Sequence, residues 1–269
     1  RNFRGVDVLD TYPVLDMKLA TAKQIFTESF LHQLNKILIN GNHGDFVTAQ
    51  DGLEIVEYFL SVNPKLEIEI STNGSARPNI WEPLGKLGVR VDFRLDGLKD
   101  THHLYRQNTN FEFILDNAHK FIQAGGFAVW TMILFDHNRH QVEQARAMSR
   151  DMGFRKFELV DHGRNTFPVF TRDKRLSHVI GNYQGPTDFD QMVRWEYEIW
   201  RDNPGTIVRT TTESREVDCY AKRQREIYIA ANGEVSPCCW LGFYPQHSLR
   251  YATNVQLRPL VSDNNALEH

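Results

Sequence analysis

For about its first 160 residues the sequence alternates short apolar runs with longer stretches in which apolar residues recur every three to four positions, and few architectures accept that rhythm. The short runs read as strands and the longer stretches as amphipathic helices. A helix is expected over residues 15–34, followed by a buried strand, Lys36-Ile37-Leu38-Ile39-Asn40. Next come a helix over 50–61, with Leu53, Val56, Phe59 and Leu60 on one face, and a strand over 66–70. A short helix over 80–87 ends at Gly88, and a strand follows over 89–95. The helix over 111–124 is stopped by Gly125-Gly126. A strand over 127–135, a helix over 138–152 ended by Gly153, and a strand over 156–160 close the series. Five strands separated by helices are βαβ units, hence a parallel sheet in an α/β fold. Right-handed crossovers between sequential strands curl such a sheet into a barrel or part of one.

Where the polar residues fall is informative. The five strands run into Gly41-Asn42-His43-Gly44-Asp45, Ser71-Thr72-Asn73-Gly74, Asp96-Gly97, Asp136-His137-Asn138 and Asp161-His162-Gly163. In parallel α/β folds the carboxyl edge of the sheet is where ligands bind, because its loops converge. Glycines let the backbone approach a ligand, while Asn, Asp and Thr supply hydrogen bonds. For one loop alone, ordinary turn chemistry explains such residues better. Repeated on five loops of one edge, the pattern favours a pocket. Asp45 is the foremost single candidate, its alternative role being a helix N-cap. Arg106 is either a pocket cation or a solvated charge. His43, His102 and His103 line the pocket, support it, or stand exposed, and Asp136, His137 and Asn138 are weaker candidates for contact with a ligand. Trp130, Trp195, Trp200 and Trp240 are read as core rather than as a substrate platform.

Beyond Asp161 the rhythm changes. Residues 163–185 read as a long irregular loop and 187–201 as a Trp-rich helix. Two short strand-like runs then flank Asn232-Gly233, a strong hairpin signal. The expected division is 1–162, barrel; 163–205, connection; 206–269, a small C-terminal unit. All three cysteines, Cys219, Cys238 and Cys239, lie in that last unit. Thiolates beside a hairpin suit an iron–sulfur cluster or zinc, or are inert buried thiols. Their odd number argues against a disulfide framework and for a cytoplasmic protein. A net charge of −3, with both signs interspersed, gives no electrostatic reason to expect nucleic acid or a membrane surface as partner. No apolar run approaches the roughly 20 residues of a membrane span, and residues 1–10 hold no signal-peptide stretch. The chain starts without Met and ends Ala266-Leu267-Glu268-His269, so both ends are expected to be incomplete.

Taken in order, these segments resemble the radical S-adenosylmethionine superfamily. His43-Gly44-Asp45 is similar to the family's "GGE" motif, which holds the methionine amino group through backbone groups and the acidic side chain, and Gly41 and Asn42 lead into it. Ser71-Thr72-Asn73-Gly74 resembles the "TNG" segment near the ribose. Leu95-Asp96-Gly97, then His102 or His103 and Leu104-Tyr105-Arg106, resembles "SLDG…H…YR", whose arginine pairs with the methionine carboxylate. Arg94 departs from the pattern, standing where the family often has a ribose-binding Ser. Cys219, Gly233 and Cys238 resemble the opening of a SPASM or twitch auxiliary-cluster domain, with Cys239 next to a ligand position but outside the usual spacing. The Cys-x3-Cys-x2-Cys triplet that holds the catalytic [4Fe–4S] cluster is not in the sequence; the resemblance would put it immediately before Arg1.

The resemblance implies a partial (β/α)6 TIM-like barrel with a small C-terminal β-hairpin cluster domain. It further implies S-adenosylmethionine, a catalytic [4Fe–4S] cluster and an auxiliary iron–sulfur cluster as cofactors, with metal ligands among Cys219, Cys238 and Cys239. The activity implied is generation of a 5′-deoxyadenosyl radical that abstracts hydrogen from a substrate, a peptide or protein by analogy. An electron donor such as flavodoxin or ferredoxin would be a partner. Two other readings stay open: a non-catalytic peptide-binding relative, and an unrelated metal-dependent barrel enzyme using Asp and His at strand ends.

Overall fold

The computed structural model describes residues 15–41, 44–161, 166–171, 173–192, 194, 220–231 and 233–237. Two short helices, α1 (Leu19–Ile25) and α2 (Glu28–Leu31), precede the first strand. Five strands then form one sheet: β1 (Lys36–Asn40), β2 (Glu67–Thr72), β3 (Arg90–Arg94), β4 (Phe127–Ile133) and β5 (Lys156–Val160). Their spatial order is their sequence order, and every neighbouring pair is parallel. The connections carry α3 (Gly52–Val62), α4 (Trp81–Lys86), α5 (His102–Tyr105), α6 (Phe111–Gln123) and α7 (Val142–Asp151). A doubly wound sheet reverses its strand order partway. Here each strand adds on the same side of the last, so right-handed crossovers put all the helices on one face.

Side-chain alternation agrees with that topology. Ile68 and Ile70, Val91 and Phe93, and Ala128, Trp130 and Met132 point to the helices and meet Val56, Phe59, Leu84, Ile114, Ala118 and Phe121 in the main core. Trp81, Phe93, Phe121, Phe154 and Trp130 form a chain of ring contacts through it. The alternate residues of the same strands, Glu69, Ser71, Arg90, Asp92, Arg94, Thr131 and Glu158, point the other way. A parallel sheet covered by helices on both faces has near-continuous apolar strands. This one is apolar on the helix-covered face and gathers its charged residues on the other, beside Leu38, Val129 and Ile133, as the wall of a curved half-barrel allows.

Several expectations are corrected. The single helix over 15–34 is two helices, because Phe26 leaves the helical region and Thr27 caps α2, its Oγ1 accepting from the Phe30 N–H at 3.3 Å. Strand β2 extends past Ile70, so Ser71 and Thr72 lie on the strand and not in the loop after it. Strand β4 stops at Ile133, where the Asn138 side chain accepts from the Phe135 N–H and donates to the Ile133 carbonyl. The loop expected over 163–185 contains an antiparallel hairpin, β6 (Phe167–Phe170) with β7 (Leu176–Ile180). Val169 and Ile180 supply the reason, burying themselves against Phe135 beside Tyr105 and Phe167. The helix expected from 187 starts at Phe189 instead, with Asp188 Oδ1 accepting from the Gln191 N–H at 2.9 Å. Its remainder lies outside the described residues except for 194, and so do Trp195, Trp200 and Trp240.

The predicted C-terminal hairpin is β8 (Tyr228–Ile229) paired antiparallel with β9 (Val235–Ser236). Gly233 has φ +89° and sits against Ile25 of α1, while Ile229 packs on the main core. Asn232 lies outside the described residues. Among the described residues no helix is long and apolar enough to cross a membrane.

One buried side chain joins this frame to the loop after β2. Asn117 of α6, fully buried, donates through Nδ2 to the Gly74 and Ala76 carbonyls at 2.9 and 3.0 Å. Removing it strands two buried acceptors, at a cost of about 1–3 kcal/mol. Asn117→Ala is therefore expected to lower the unfolding free energy measured by urea titration by that amount, and an unchanged value would refute the role.

Candidate functional site

The carboxyl edge of the sheet is built from three loops, the first two cross-linked by hydrogen bonds and the third facing them with the Arg106 charge. The first leaves β1 through Gly41, where a Cβ would come within 2.0 Å of the Gly44 carbonyl oxygen. Only glycine permits so tight a turn. That turn delivers Asp45. Its Oδ2 accepts from Thr72 Oγ1 at 2.8 Å and from the Asn73 N–H at 2.9 Å, binding the first loop to the second. Its Oδ1 accepts from the Val47 N–H at 3.4 Å, which makes Asp45 also the N-cap of a 3-10 turn, Phe46–Thr48. Burial holds the Asp45 carboxyl above the usual carboxylate range, against the pull of these donors and of the Arg106 charge. The second loop is itself fixed: Thr72 Oγ1 accepts from the Gly74 N–H, and Asn73 Oδ1 from the Ser75 N–H.

The third loop follows β3. Asp96 is fully buried; its Oδ1 accepts from the Ile133 N–H and its Oδ2 from Arg106 Nε, both at 2.6 Å. Gly97 has φ +117°, and a Cβ there would strike Thr101 Oγ1. His102, 1% exposed, closes the loop. Its Nδ1 accepts from the Asp96 N–H at 3.2 Å, so the ring proton sits on Nε2 and bonds Thr109 Oγ1 at 3.1 Å. Thr109 in turn donates to the Arg106 carbonyl at 2.6 Å. Burial, helped by the Arg106 charge, pushes the His102 pKa down to about 4, so this neutral tautomer persists at ordinary pH. Gln141, just before α7, grips the same loop from outside, accepting from the Leu98 N–H and Thr101 Oγ1 and donating to Asp100.

Below this edge, the polar face of the sheet carries a lattice of charges. Lys36 Nζ lies 2.6 Å from Glu69, and Arg90 lies 3.6 Å from Glu69 and 3.4 Å from Glu158. Closer to the mouth, Arg94 Nη2 lies 2.7 Å from Asp92 and its Nε donates to Ser71 Oγ at 3.0 Å. Burial raises the Asp92 pKa, and the Arg94 charge opposes it. At the end of β4, Phe135 stacks on His137 and meets Tyr105 and Phe167. His178 of β7 donates through Nε2 to the Leu104 carbonyl at 2.9 Å, docking the hairpin on α5.

Asp45, Ser71, Thr72, Asn73, Asp96 and Arg106 thus occupy one edge, together with Gly41 and Gly44. Asn42 and His43 lie outside the described residues, as do Cys219, Cys238 and Cys239. Arg106 is not a solvated charge: Asp96 holds its Nε and Tyr105 its face, at 5.1 Å from the ring centroid. Trp130 is core, as read. His102 is wholly engaged in supporting the loop, and Asn138 is used up on the backbone of β4. Sequence reasoning passed over Thr109, Asn117 and Gln141, whose partners lie far along the chain or within a turn and leave no local pattern. Among the described residues no three of His, Cys, Asp or Glu come together in a way that could hold a metal ion.

No family model matches the chain, and no curated protein matches it. Solved structures do. SuiB of Streptococcus suis aligns with a TM-score of 0.54 at 12% identity, over 95% of this chain and 64% of its own. The same protein bound to S-adenosylmethionine gives 0.51 at 14%, over 85% of this chain and 58% of that one. Native anSMEcpe with bound AdoMet and Cp18Cys peptide gives 0.52 at 14%, over 88% and 69%. This chain therefore spans about three fifths of the solved SuiB chains, and the likeness is one of fold: an α/β parallel sheet of the partial-barrel type.

The His102 clasp has a pH signature. Because its folded pKa lies below the unfolded value of 6.5, its contribution is complete above 6.5 and lost as pH falls toward 4. A shift of that size is worth roughly 3 kcal/mol at about 1.4 kcal/mol per unit. His102→Asn keeps an acceptor for the Asp96 N–H but does not titrate, so its stability measured by denaturant titration between pH 4 and 6.5 should be flatter than that of the unaltered chain. Parallel curves would exclude the clasp as the source.

Proposed function

We propose that the sheet and its carboxyl-edge loops are the S-adenosylmethionine-binding core of a radical enzyme that removes hydrogen from a peptide or protein substrate. One observation carries the reading: Asp45, Thr72-Asn73 and Asp96–Arg106, on three successive loops, are tied by hydrogen bonds and shared charge into one polar mouth. That mouth sits at the edge where parallel α/β folds take ligands. Solved chains of the same fold were obtained with S-adenosylmethionine and, for anSMEcpe, with AdoMet and a peptide together.

The donor set fits an aminoacyl nucleoside. Asp45 has one lone pair left on Oδ1 for an ammonium, and the two Nη groups of Arg106 are not engaged by Asp96, leaving them for a carboxylate. Asn73 and the backbone of Gly41 and Gly44 complete the cradle, with Asn42 and His43 assigned to the same segment. Thr72 sets the second loop, Ser71 holds Arg94 at the strand end, and Asp96 orients Arg106. The aromatic cluster of Tyr105, Phe135 and Phe167 keeps water from the end of β4, which strengthens the charge contacts beside it. When bound, S-adenosylmethionine supplies, on one-electron reduction, the carbon radical that takes hydrogen from the substrate. No described residue is a cysteine, so no cluster ligand is assigned among them; Cys219, Cys238 and Cys239 are proposed for an auxiliary iron–sulfur cluster in a unit spanning 206–269, after a barrel at 1–162 and a connection at 163–205. A [4Fe–4S] cluster, an electron donor such as flavodoxin or ferredoxin, and a cytoplasmic setting belong to the same proposal.

Full-length protein purified without oxygen should contain iron and sulfide and release 5′-deoxyadenosine from S-adenosylmethionine under dithionite. Protein with neither property would be the non-catalytic relative instead. Asp45→Asn preserves an acceptor for Thr72 and Asn73 while removing the charge. It is expected to weaken S-adenosylmethionine binding in equilibrium dialysis about 10- to 100-fold, the worth of a charge-assisted hydrogen bond of about 1.5–3 kcal/mol. Unchanged affinity would take Asp45 out of the site.

A further inference from the structure

The polar face of the sheet holds a second cation that the proposed site does not use. Arg94 lies at the end of β3, pointing away from the helices, and its side chain is 32% exposed while that of Asp92 is 5% exposed. The guanidinium is fixed along one edge only. Its Nε donates to Ser71 Oγ on β2 and its Nη2 meets Asp92 on its own strand. Of the five N–H groups of an arginine, those on the opposite end, across Nη1 and Nη2, have no partner among the described residues. Two parallel N–H bonds at that end match a carboxylate in bidentate geometry. Stability does not explain the arrangement, since a buried Asp–Arg pair holds a domain together no better than apolar residues of similar volume. What the pair does achieve is a cation of fixed orientation one residue before the Leu95-Asp96 turn and beside the strand end that carries Thr72 and Asn73.

We propose that the open end of Arg94 is a carboxylate-binding site inside the mouth, with Asp92 and Ser71 as its positioning residues. Two sources supply that group: the carboxylate of S-adenosylmethionine, shared with Arg106, or an acidic side chain or terminus of the peptide substrate. Both sources rest on the function proposed above, the first on its cofactor and the second on its peptide substrate.

The test uses full-length protein purified without oxygen and two variants. Arg94→Gln leaves Asp92 buried without its cation, so the double variant Asp92→Asn with Arg94→Gln is made alongside it, removing both charges at nearly constant shape. Equilibrium dialysis measures S-adenosylmethionine and its decarboxylated analogue. Saturation-transfer NMR compares two capped pentapeptides, Ac-Gly-Gly-Glu-Gly-Gly-amide and the same peptide with Gln for Glu. If the cofactor is the source, the variants lose at least tenfold in affinity for S-adenosylmethionine and less than twofold for the analogue. If the substrate is the source, S-adenosylmethionine affinity stays within twofold and the preference for the Glu peptide over the Gln peptide disappears. Should unaltered protein bind no S-adenosylmethionine, the cofactor proposed above fails, and the peptide pair alone decides Arg94. Variants that are folded by circular dichroism and bind every probe within twofold of unaltered protein would overturn the proposal, as would unaltered protein that distinguishes neither pair.

Discussion

The mouth of this half-barrel depends on one buried carboxylate. Asp96 accepts the Ile133 N–H with one oxygen and Arg106 Nε with the other, and so fixes the ends of β3 and β4 and the turn into α5 at once. A buried charge is tolerable only when its lone pairs are filled by donors of good geometry. Here the donors are a strand terminus and a guanidinium, so the requirement to satisfy Asp96 is also what orients Arg106. His102 and Thr109 then set the backbone at both ends of the same segment, and Gln141 steadies its middle. Remove the carboxylate and each of these contacts loses its reference point.

The sheet supplies the second constraint. On β2 and β3 apolar and polar residues alternate although the strands are parallel, which leaves one face for the helices and gathers the charges on the other. The Lys36, Glu69, Arg90 and Glu158 lattice and the Asp92–Arg94 pair occupy that second face because the strand period of two gives them no other place. Burial there raises the pKa of Asp92, and the Arg94 charge beside it opposes that rise. The topology therefore creates a polar interior without any loop contributing to it.

Much of this was legible in the sequence. Strands β1 and β5 were read to the residue, and the convergence of polar loops on one edge followed from where Gly, Asn and Asp fall after each strand. The reading went astray where a local pattern was ambiguous. A helical period across residues 15–34 hid the break at Phe26-Thr27, because one capping hydroxyl outweighs a periodicity that continues on both sides of it. The β6–β7 hairpin is hard to read because Pro168 stands inside its first strand and Ser177-His178 interrupts the second; the two become a pair on meeting Phe135. Whether Asp45 is a cap or a site residue was posed as a choice, and geometrically it caps a turn while still facing the mouth. Asn117 and Gln141 were invisible for a different reason: each bonds a loop about 40 positions away, and no spacing rule reaches that far.

The docking of the hairpin has a mechanical consequence. His178 grips the carbonyl of Leu104, and Phe167 abuts Tyr105, the two residues directly before Arg106. The three-residue segment from Leu104 to Arg106 is thus clamped from the hairpin on one side and from Asp96 on the other, like a short beam held at both ends. The hairpin thereby shares its footing with the backbone that carries the guanidinium, so the seat of β7 and the aim of Arg106 rest on the same few atoms.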